Sequence, residues 1–221
     1  MDDLKNENLF TLKETIAKEI FKGHDYPWEI IPFISDFILR LGRLLPEERY
    51  VEVRKNIWIA KNAMIAPTAC INGPVIIDEG AEIRHCAFIR GSAVIGKQAV
   101  VGNSTEIKNA ILFNGVQVPH FNYVGDSILG YRAHMGAGAV TSNVKSDHSS
   151  VTIQVNKDEI VTGLEKLGAA LGDFAEIGCN SVLNPGSVIG RHSTVYPTSM
   201  IRGFVPSNSI YKSRDKVIKR S

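Results

Sequence analysis

The stretch Ile59–Ile107, IAKNAMIAPTACINGPVIIDEGAEIRHCAFIRGSAVIGKQAVVGNSTEI, places an aliphatic residue at every sixth position without a break. The series is Ile59, Ile65, Ile71, Ile77, Ile83, Ile89, Ile95, Val101 and Ile107. Four places after each of the first eight stands a small or β-branched residue: Ala63, Ala69, Val75, Ala81, Ala87, Ala93, Ala99 and Thr105. A period of six fits neither the 3.6 of an α-helix nor the 2 of one long strand, so the chain must turn a corner once per hexad. The product is a solenoid. Three hexads make a triangular coil whose aliphatic residues point into a narrow prism and whose small residues let the chain bend. Successive coils then stack as parallel strands about 4.8 Å apart, and the Gly, Asn, Asp and Lys of "IDEG", "IGKQ" and "VGNS" are expected at turns facing water.

The pattern continues with shifts at Leu112, Val118, Val124, Leu129 and Met135, and breaks between Thr141 and Ala170. It then runs in phase through Leu171, Ile177, Leu183, Ile189, Val195 and Ile201, with Ala175, Ser181, Ser187, Ser193 and Ser199 as its small residues. Within the break, "VTIQVNKDEIV" reads as strand, Asn-Lys-Asp turn and strand, which predicts a projecting hairpin in an insertion at about 144–170. Before the repeats, Leu9, Leu12, Ile16, Ile20 and Phe21, then Ile30, Ile34, Phe37, Ile38 and Leu41, recur at helical spacing. They predict two amphipathic N-terminal α-helices broken at "GHDYP", with Pro27 in a first turn and Gly23 as a C-cap. The expected organisation is a helical cap or linker over 1–52, a β-solenoid over 53–210 and a basic C-terminal tail over 211–221.

Composition narrows the function. Lys and Arg number 25 against 23 Asp and Glu among 221 residues, a balance that argues against a nucleic-acid binder. The three cysteines, Cys70, Cys86 and Cys179, lack metal-type spacing and suit a reducing compartment, so a cytoplasmic location is expected. "MDDLKNENLF" lacks the basic start and apolar core of an export signal, and no apolar run reaches about 18 residues, so no membrane span is expected.

The unbroken hexads identify the chain as resembling the hexapeptide-repeat, left-handed parallel β-helix family. The left hand belongs to that resemblance, since the general crossover rule favours the right. With eighteen residues per coil, Asn72, Arg90 and Lys108 fall in one column. Two cations one strand spacing apart are costly unless an anion such as a phosphate lies between them, or unless both are simply solvated. "VQVPHFNYVGD", Val116–Asp126, interrupts the repeats and replaces turn residues with Pro119, Phe121 and Tyr123 around His120. Two aromatics in a loop predict a cover such as another subunit. His120 is then a candidate base near neutral pH, or a histidine that only bonds its own loop.

The stretch VGNSTEIKNAILFNGVQVPHFNYVGDSILGYRAHMGAGAVTSN resembles the acetyltransferase domain of bacterial bifunctional N-acetylglucosamine-1-phosphate uridylyltransferase/glucosamine-1-phosphate acetyltransferase. That family's pattern runs V-G-N-F-V-E-x-K, H-L-x-Y-x-G-D and N-x-G-A-G-x-x-x-x-N-Y. The resemblance covers the repeats, roughly two-thirds of the chain. It implies an N-acetyltransferase of an amino-sugar phosphate such as glucosamine 1-phosphate, with acetyl-CoA as co-substrate and a homotrimer as the assembly. It makes His120 the catalytic base, Arg90 and Lys108 the phosphate ligands, Tyr123 and Asn143 contacts to the sugar, and Ala137 and Gly138 in "GAG" contacts to the coenzyme arm. His134 stands at a sugar-site position where the family has Asn, and Val144 where it has Tyr. Cys179, Lys212 and Arg214 are further candidates along the coenzyme path. For Cys179 a buried or neutral thiol is the expectation, since no base is near in sequence, and the tail cations are equally readable as solvated. No "GxGTRM"-like loop is present, so a uridylyltransferase activity is not expected.

Two rivals remain open. One is a non-catalytic trimeric module that binds a sugar phosphate or nucleotide sugar. The other is a γ-carbonic-anhydrase-like metal enzyme, for which His85 and His120 are spaced suitably but the third ligand position is Gly125. No metal is expected.

Overall fold

The structure, a computed structural model, describes residues 1–213 and 216–220. Its main body is a parallel β-solenoid of three faces, and each face is a ladder of strands drawn from successive coils. The first face runs from Ile57–Ala60 through Val75–Ile77 and Ala93–Ile95 to Ser187–Ile189 and Phe204–Val205. The second includes Met64–Ile65, Glu82–Ile83, Val100–Asn103, Gln117–His120, His134–Met135, Glu176–Ile177 and Thr194–Val195. The third includes Cys70–Ile71, Phe88–Ile89, Val140–Thr141, Val182–Leu183 and Met200–Ile201. Two longer strands, Glu106–Leu112 and Tyr123–Leu129, pass round the corner from the third face to the first.

The aliphatic series lies inside. Ile77, Ile83, Ile89, Ile95, Val101 and Ile107 are at most 1% exposed, and Ala81, Ala87, Ala93 and Ala99 are buried beside them at the corners. Register explains the shifts in the later pattern. Ile77 pairs with Ile95, eighteen residues on, whereas Ile95 pairs with Leu112 and Val101 with Val118, seventeen on. The middle coils are one residue short. The expected interruption around His120 is therefore absent: Gln117–His120 is an ordinary rung, paired on both sides. The corner residues also depart from expectation, because Asp78, Asp126 and Asp173 are buried and not solvated. Each accepts hydrogen bonds that replace water.

The N-terminal segment corrects the expectation of two helices. Leu4, Leu9, Phe10, Ile20 and Phe21 are buried, but in a string of short turns, among them Asn6–Leu9 and Lys18–Phe21. Pro27 opens a four-residue helix as expected for a first turn, and Ile34–Gly42 is the longer helix. The reason is the surface beneath. The first face points a second row of aliphatics outward, Ile76, Val94, Ile111, Ile128 and Val188, and these are at most 1% exposed because the N-terminal segment lies over them. A segment that must follow a stack of coils takes its hydrogen bonds from coil corners as well as from itself. Asn114 N–H donates to Glu14 O, and Asp173 N–H to Leu9 O. At the helix end, a Cβ on Gly42 would come within 2.3 Å of the Trp58 ring, so only glycine permits that approach.

The insertion forms the antiparallel pair Thr152–Val155 and Asp158–Val161, turning at Asn156 with φ +55°. It does not project. Val151 and Ile153 have no exposed surface, and the backbone of this first strand lies against Gly186 and Gly203. Both glycines have φ +78°, and a Cβ on Gly203 would meet Gln154 O at 2.3 Å. Alternating apolar residues on the first strand find an apolar wall, which holds the hairpin down. At the C-terminus Ser209–Ser213 continues the second face, and Lys216–Lys219 folds back on it, so the basic tail is a hairpin. Among the described residues no helix is long and apolar enough to cross a membrane.

Candidate active site

Coil geometry gathers most of the expected residues at one corner, between the second and third faces. His120 ends its rung on the second face, opposite Asn103, and Tyr123 opens the third face of the same turn. Between them Phe121 takes φ +52° and is 61% exposed. Asn122 is buried and locks the bend: its Oδ1 accepts the His120 N–H at 3.1 Å, and its amide donates to Gly136 O and Ala139 O at 2.8 and 3.0 Å. His120 itself is exposed, and its imidazole has no hydrogen-bond partner among the described residues.

The third face beside it is a polar cluster. Ile89 pairs with Ile107, which puts Arg90 next to Lys108 as the column predicts. The like-charge strain expected of that column is relieved within the chain. Arg90 Nη1 donates to Glu106 Oε1 at 2.8 Å, and Lys108 Nζ to Asp126 Oδ2 at 2.9 Å. Asp126 is 3% exposed and also accepts from Asn109 Nδ2 at 2.8 Å and from Asn143 Nδ2. Asn143 Nδ2 in turn reaches Tyr123 OH at 3.3 Å. Burial, and then the neighbouring Asp126 and Glu106 carboxylates, raise the Tyr123 phenol above its ordinary value, so it stays a neutral hydroxyl. Arg90, Lys108, Tyr123 and Asn143 thus share one surface.

Sequence reading missed Glu106 and Asp126. The spacing rule that found Arg90 and Lys108 held the signal, since Asp126 stands eighteen residues after Lys108. With a seventeen-residue coil it is Gly125 that pairs with Lys108, and Asp126 sits one place further, at the corner.

Above His120 the corner continues through Ala137 and Gly138, then Cys179 and Asn180, then Pro197 and Thr198. The chain of contacts is Gly138 N–H to His120 O, Asn180 N–H to Ala137 O and Thr198 N–H to Cys179 O. Of the two alternatives expected for Cys179, burial does not hold: it is exposed, because it occupies a corner and not the prism. Alongside, the second-face positions that follow each inward residue are Gly102, Pro119, Gly136 and Gly178, then Tyr196 and Lys212. A Cβ on Gly102, Gly136 or Gly178 would run into the backbone of the next coil, so the glycines let the coils close on one another. The Lys212 ammonium lies 5.3 Å from the centre of the Tyr196 ring. Four rungs separate the His120 level from Lys212, about 19 Å at ordinary strand spacing. His134 belongs to this second face and is not in the third-face cluster; its Nδ1 lies 2.9 Å from Glu176 Oε2. Arg214 lies outside the described residues.

By its six-residue repeat and its stacked three-faced coils the chain is a parallel β-solenoid of the hexapeptide-repeat kind. The family model of the GMPPB C-terminal domain matches residues 71–163. A bifunctional sugar-1-phosphate nucleotidylyltransferase/acetyltransferase of Sulfurisphaera tokodaii is 32% identical over 109 residues, covering 49% of this chain and 27% of that protein. Bifunctional protein GlmU of Methanococcus maripaludis is 32% identical over 115 residues, 52% of this chain and 28% of the relative. An uncharacterized acetyltransferase, YaiX of Escherichia coli, is 30% identical over 116 residues, 52% of this chain and 50% of its own. The chain thus aligns with half or less of the length of these curated relatives. Among solved structures, GDP-perosamine N-acetyl transferase of Caulobacter crescentus with CoA and GDP-perosamine aligns over 75% of this chain and 56% of its own, at 16% identity and a TM-score of 0.33.

Proposed function

We propose that this chain is an acetyl-CoA-dependent N-acetyltransferase whose acceptor is an amino-sugar phosphate such as glucosamine 1-phosphate. One observation carries the reading: His120, exposed and with no hydrogen-bond partner for its imidazole among the described residues, stands at the corner where the second face meets the polar cluster of the third. A coenzyme arm along the corner through Ala137 and Cys179 would bring its thioester to the same place as an amine held over the cluster. His120 would take the proton from that amine as it attacks the thioester carbonyl, with no covalent enzyme intermediate. Gly136 and Gly138 donate their N–H groups to Ile177 O and His120 O, which leaves the Ala137 N–H between them for the oxyanion. Tyr123 and Asn143 would orient the sugar.

Arg90 and Lys108 would hold the phosphate on unequal terms. The exposed Arg90–Glu106 pair opens at little cost, so Arg90 can exchange its carboxylate for a phosphate. Lys108 is held by the buried Asp126 and keeps that partner, contributing charge from behind. Ala137, Gly138, Cys179 and Lys212 would lie along the coenzyme. Phe121, exposed beside the base, supports an assembly in which a second subunit covers the corner, and a homotrimer closes such an interface.

Turnover of acetyl-CoA with glucosamine 1-phosphate tests the reading. His120→Ala is expected to lower kcat roughly 100- to 10,000-fold, and Arg90→Ala to act mainly on KM for the sugar phosphate. Equal background rates in the unaltered protein and His120→Ala would end it for that acceptor.

A further inference from the structure

Two rungs below His120 on the same corner, Thr68, His85 and Cys86 make a group that acetyl transfer to an amine does not use. His85 Nε2 lies 3.2 Å from Cys86 Sγ, and His85 Nδ1 lies 2.7 Å from Thr68 Oγ1. Thr68 Oγ1 also accepts the backbone N–H of Cys86 at 3.3 Å. All three residues are exposed. A nucleophile, a base in hydrogen-bond reach and a third group that orients the base are the arrangement that activates a thiol. We propose that Cys86 is a nucleophile activated by His85, and that it accepts an acyl group from an acyl thioester.

The hydrogen-bond roles support this. The Thr68 oxygen has two lone pairs, one for Cys86 N–H and one for a proton on His85 Nδ1. With Nδ1 protonated, Nε2 presents a lone pair to the thiol and takes its proton. The resulting imidazolium is held at both nitrogens, by the Thr68 oxygen and by the thiolate. In the transfer step the thiolate adds to the thioester carbonyl, forming a new S–C bond. The old C–S bond then breaks, and the departing thiolate recovers the proton from His85 Nε2. One thioester replaces another, so no oxidant or further reactant is needed. The choice of an acyl thioester as electrophile rests on the proposed acetyl-CoA reading; the activation of Cys86 does not.

Cys70 and Cys179 are exposed as well, but their thiols have no hydrogen-bond partner among the described residues, and they serve as internal comparators. The test is to treat the full chain with S-acetyl-N-acetylcysteamine, a thioester without the coenzyme's nucleotide, and to follow acetylation of each cysteine by peptide mass spectrometry. Cys86 lies on the tryptic peptide His85–Arg90. Acetylation of Cys86 is expected to run roughly 100-fold faster than at Cys70 or Cys179, the ordinary scale of base assistance. His85→Gln should bring it down to their rate, Thr68→Val should slow it partly, and His120→Ala should leave it unchanged. Equal rates at the three cysteines, or a Cys86 rate indifferent to His85→Gln in a protein whose melting curve is unaltered, would overturn the proposal. Because the probe needs no coenzyme site, failure of the acetyltransferase reading would appear separately, in the amine assay.

Discussion

Glu79 shows how a corner residue can govern behaviour far from the candidate site. Its carboxylate receives Arg49 Nε at 2.7 Å and Lys97 Nζ at 2.7 Å, joining the chain before the first coil to the corners of later ones. Those hydrogen bonds, from Arg49 first and then Lys97, lower its pKa from 4.5 to about 2. A carboxylate with a depressed folded-state pKa adds stability that is fully present above its unfolded value and is lost as pH falls toward the folded one. Thermal unfolding of Glu79→Gln should therefore lie below that of the unaltered protein at pH 6. The two melting curves should converge as pH is lowered from about 4.5 to about 2. A gap that stays constant across that range would show that Glu79 contributes no charge-dependent stability. The same scale accounts for what the sequence left hidden at the candidate site. Arg90, Lys108 and His120 were legible from spacing and resemblance; the carboxylate partners of the two cations were passed over, Asp126 standing eighteen residues after Lys108 yet meeting it from a corner because the shortened coil pairs Lys108 with Gly125.

At the scale of elements, the N-terminal segment is the part that local pattern misjudged. Helical spacing was present in Leu9–Phe21, yet the segment folds as short turns because its backbone bonds are shared with the solenoid it covers. One side chain pins the two together. Asp173 has no exposed surface and accepts Thr11 N–H at 2.8 Å, Tyr131 N–H at 2.8 Å and Arg191 Nη2 at 2.8 Å. Asp173→Ala would leave two backbone donors and a guanidinium without their acceptor. The expected loss is about 3 kcal/mol in urea unfolding, at the low end for breaking a buried pair since Arg191 keeps some access to water. A loss under about 0.5 kcal/mol, the scale of an ordinary surface change, would mean that the N-terminal cover is not held by this residue. The insertion follows the same logic in reverse: its strands were legible from alternation, but its lie against Gly186 and Gly203 depends on glycines some thirty to fifty residues further along the chain.

For the whole molecule, the exposed third face bears on assembly. The outward residues of the third face include Val182, 37% exposed, and Met200, 70% exposed, in register with one another, and Phe121 stands at the corner beside that face. Under the proposed homotrimer, sedimentation equilibrium is expected to give three times the 24.3 kDa chain mass. Phe121→Asp would shift it toward the monomer and cut acetyl transfer with it, since a closed interface would cover that residue. A monomer at micromolar concentration that still turned over substrate would exclude a shared site. The sequence by itself determined the solenoid, its inward aliphatic ladder and the meeting of Arg90 with Lys108, because a six-residue period leaves the backbone one way to bury that ladder. Only the tertiary structure decided which side of the prism the N-terminal segment covers, that Asp126 and Glu106 neutralise the two cations, and that Cys86 meets His85 and Thr68. Those contacts depend on where each coil is a residue short and which corner each side chain leaves from, and neighbours that are remote along the chain set both.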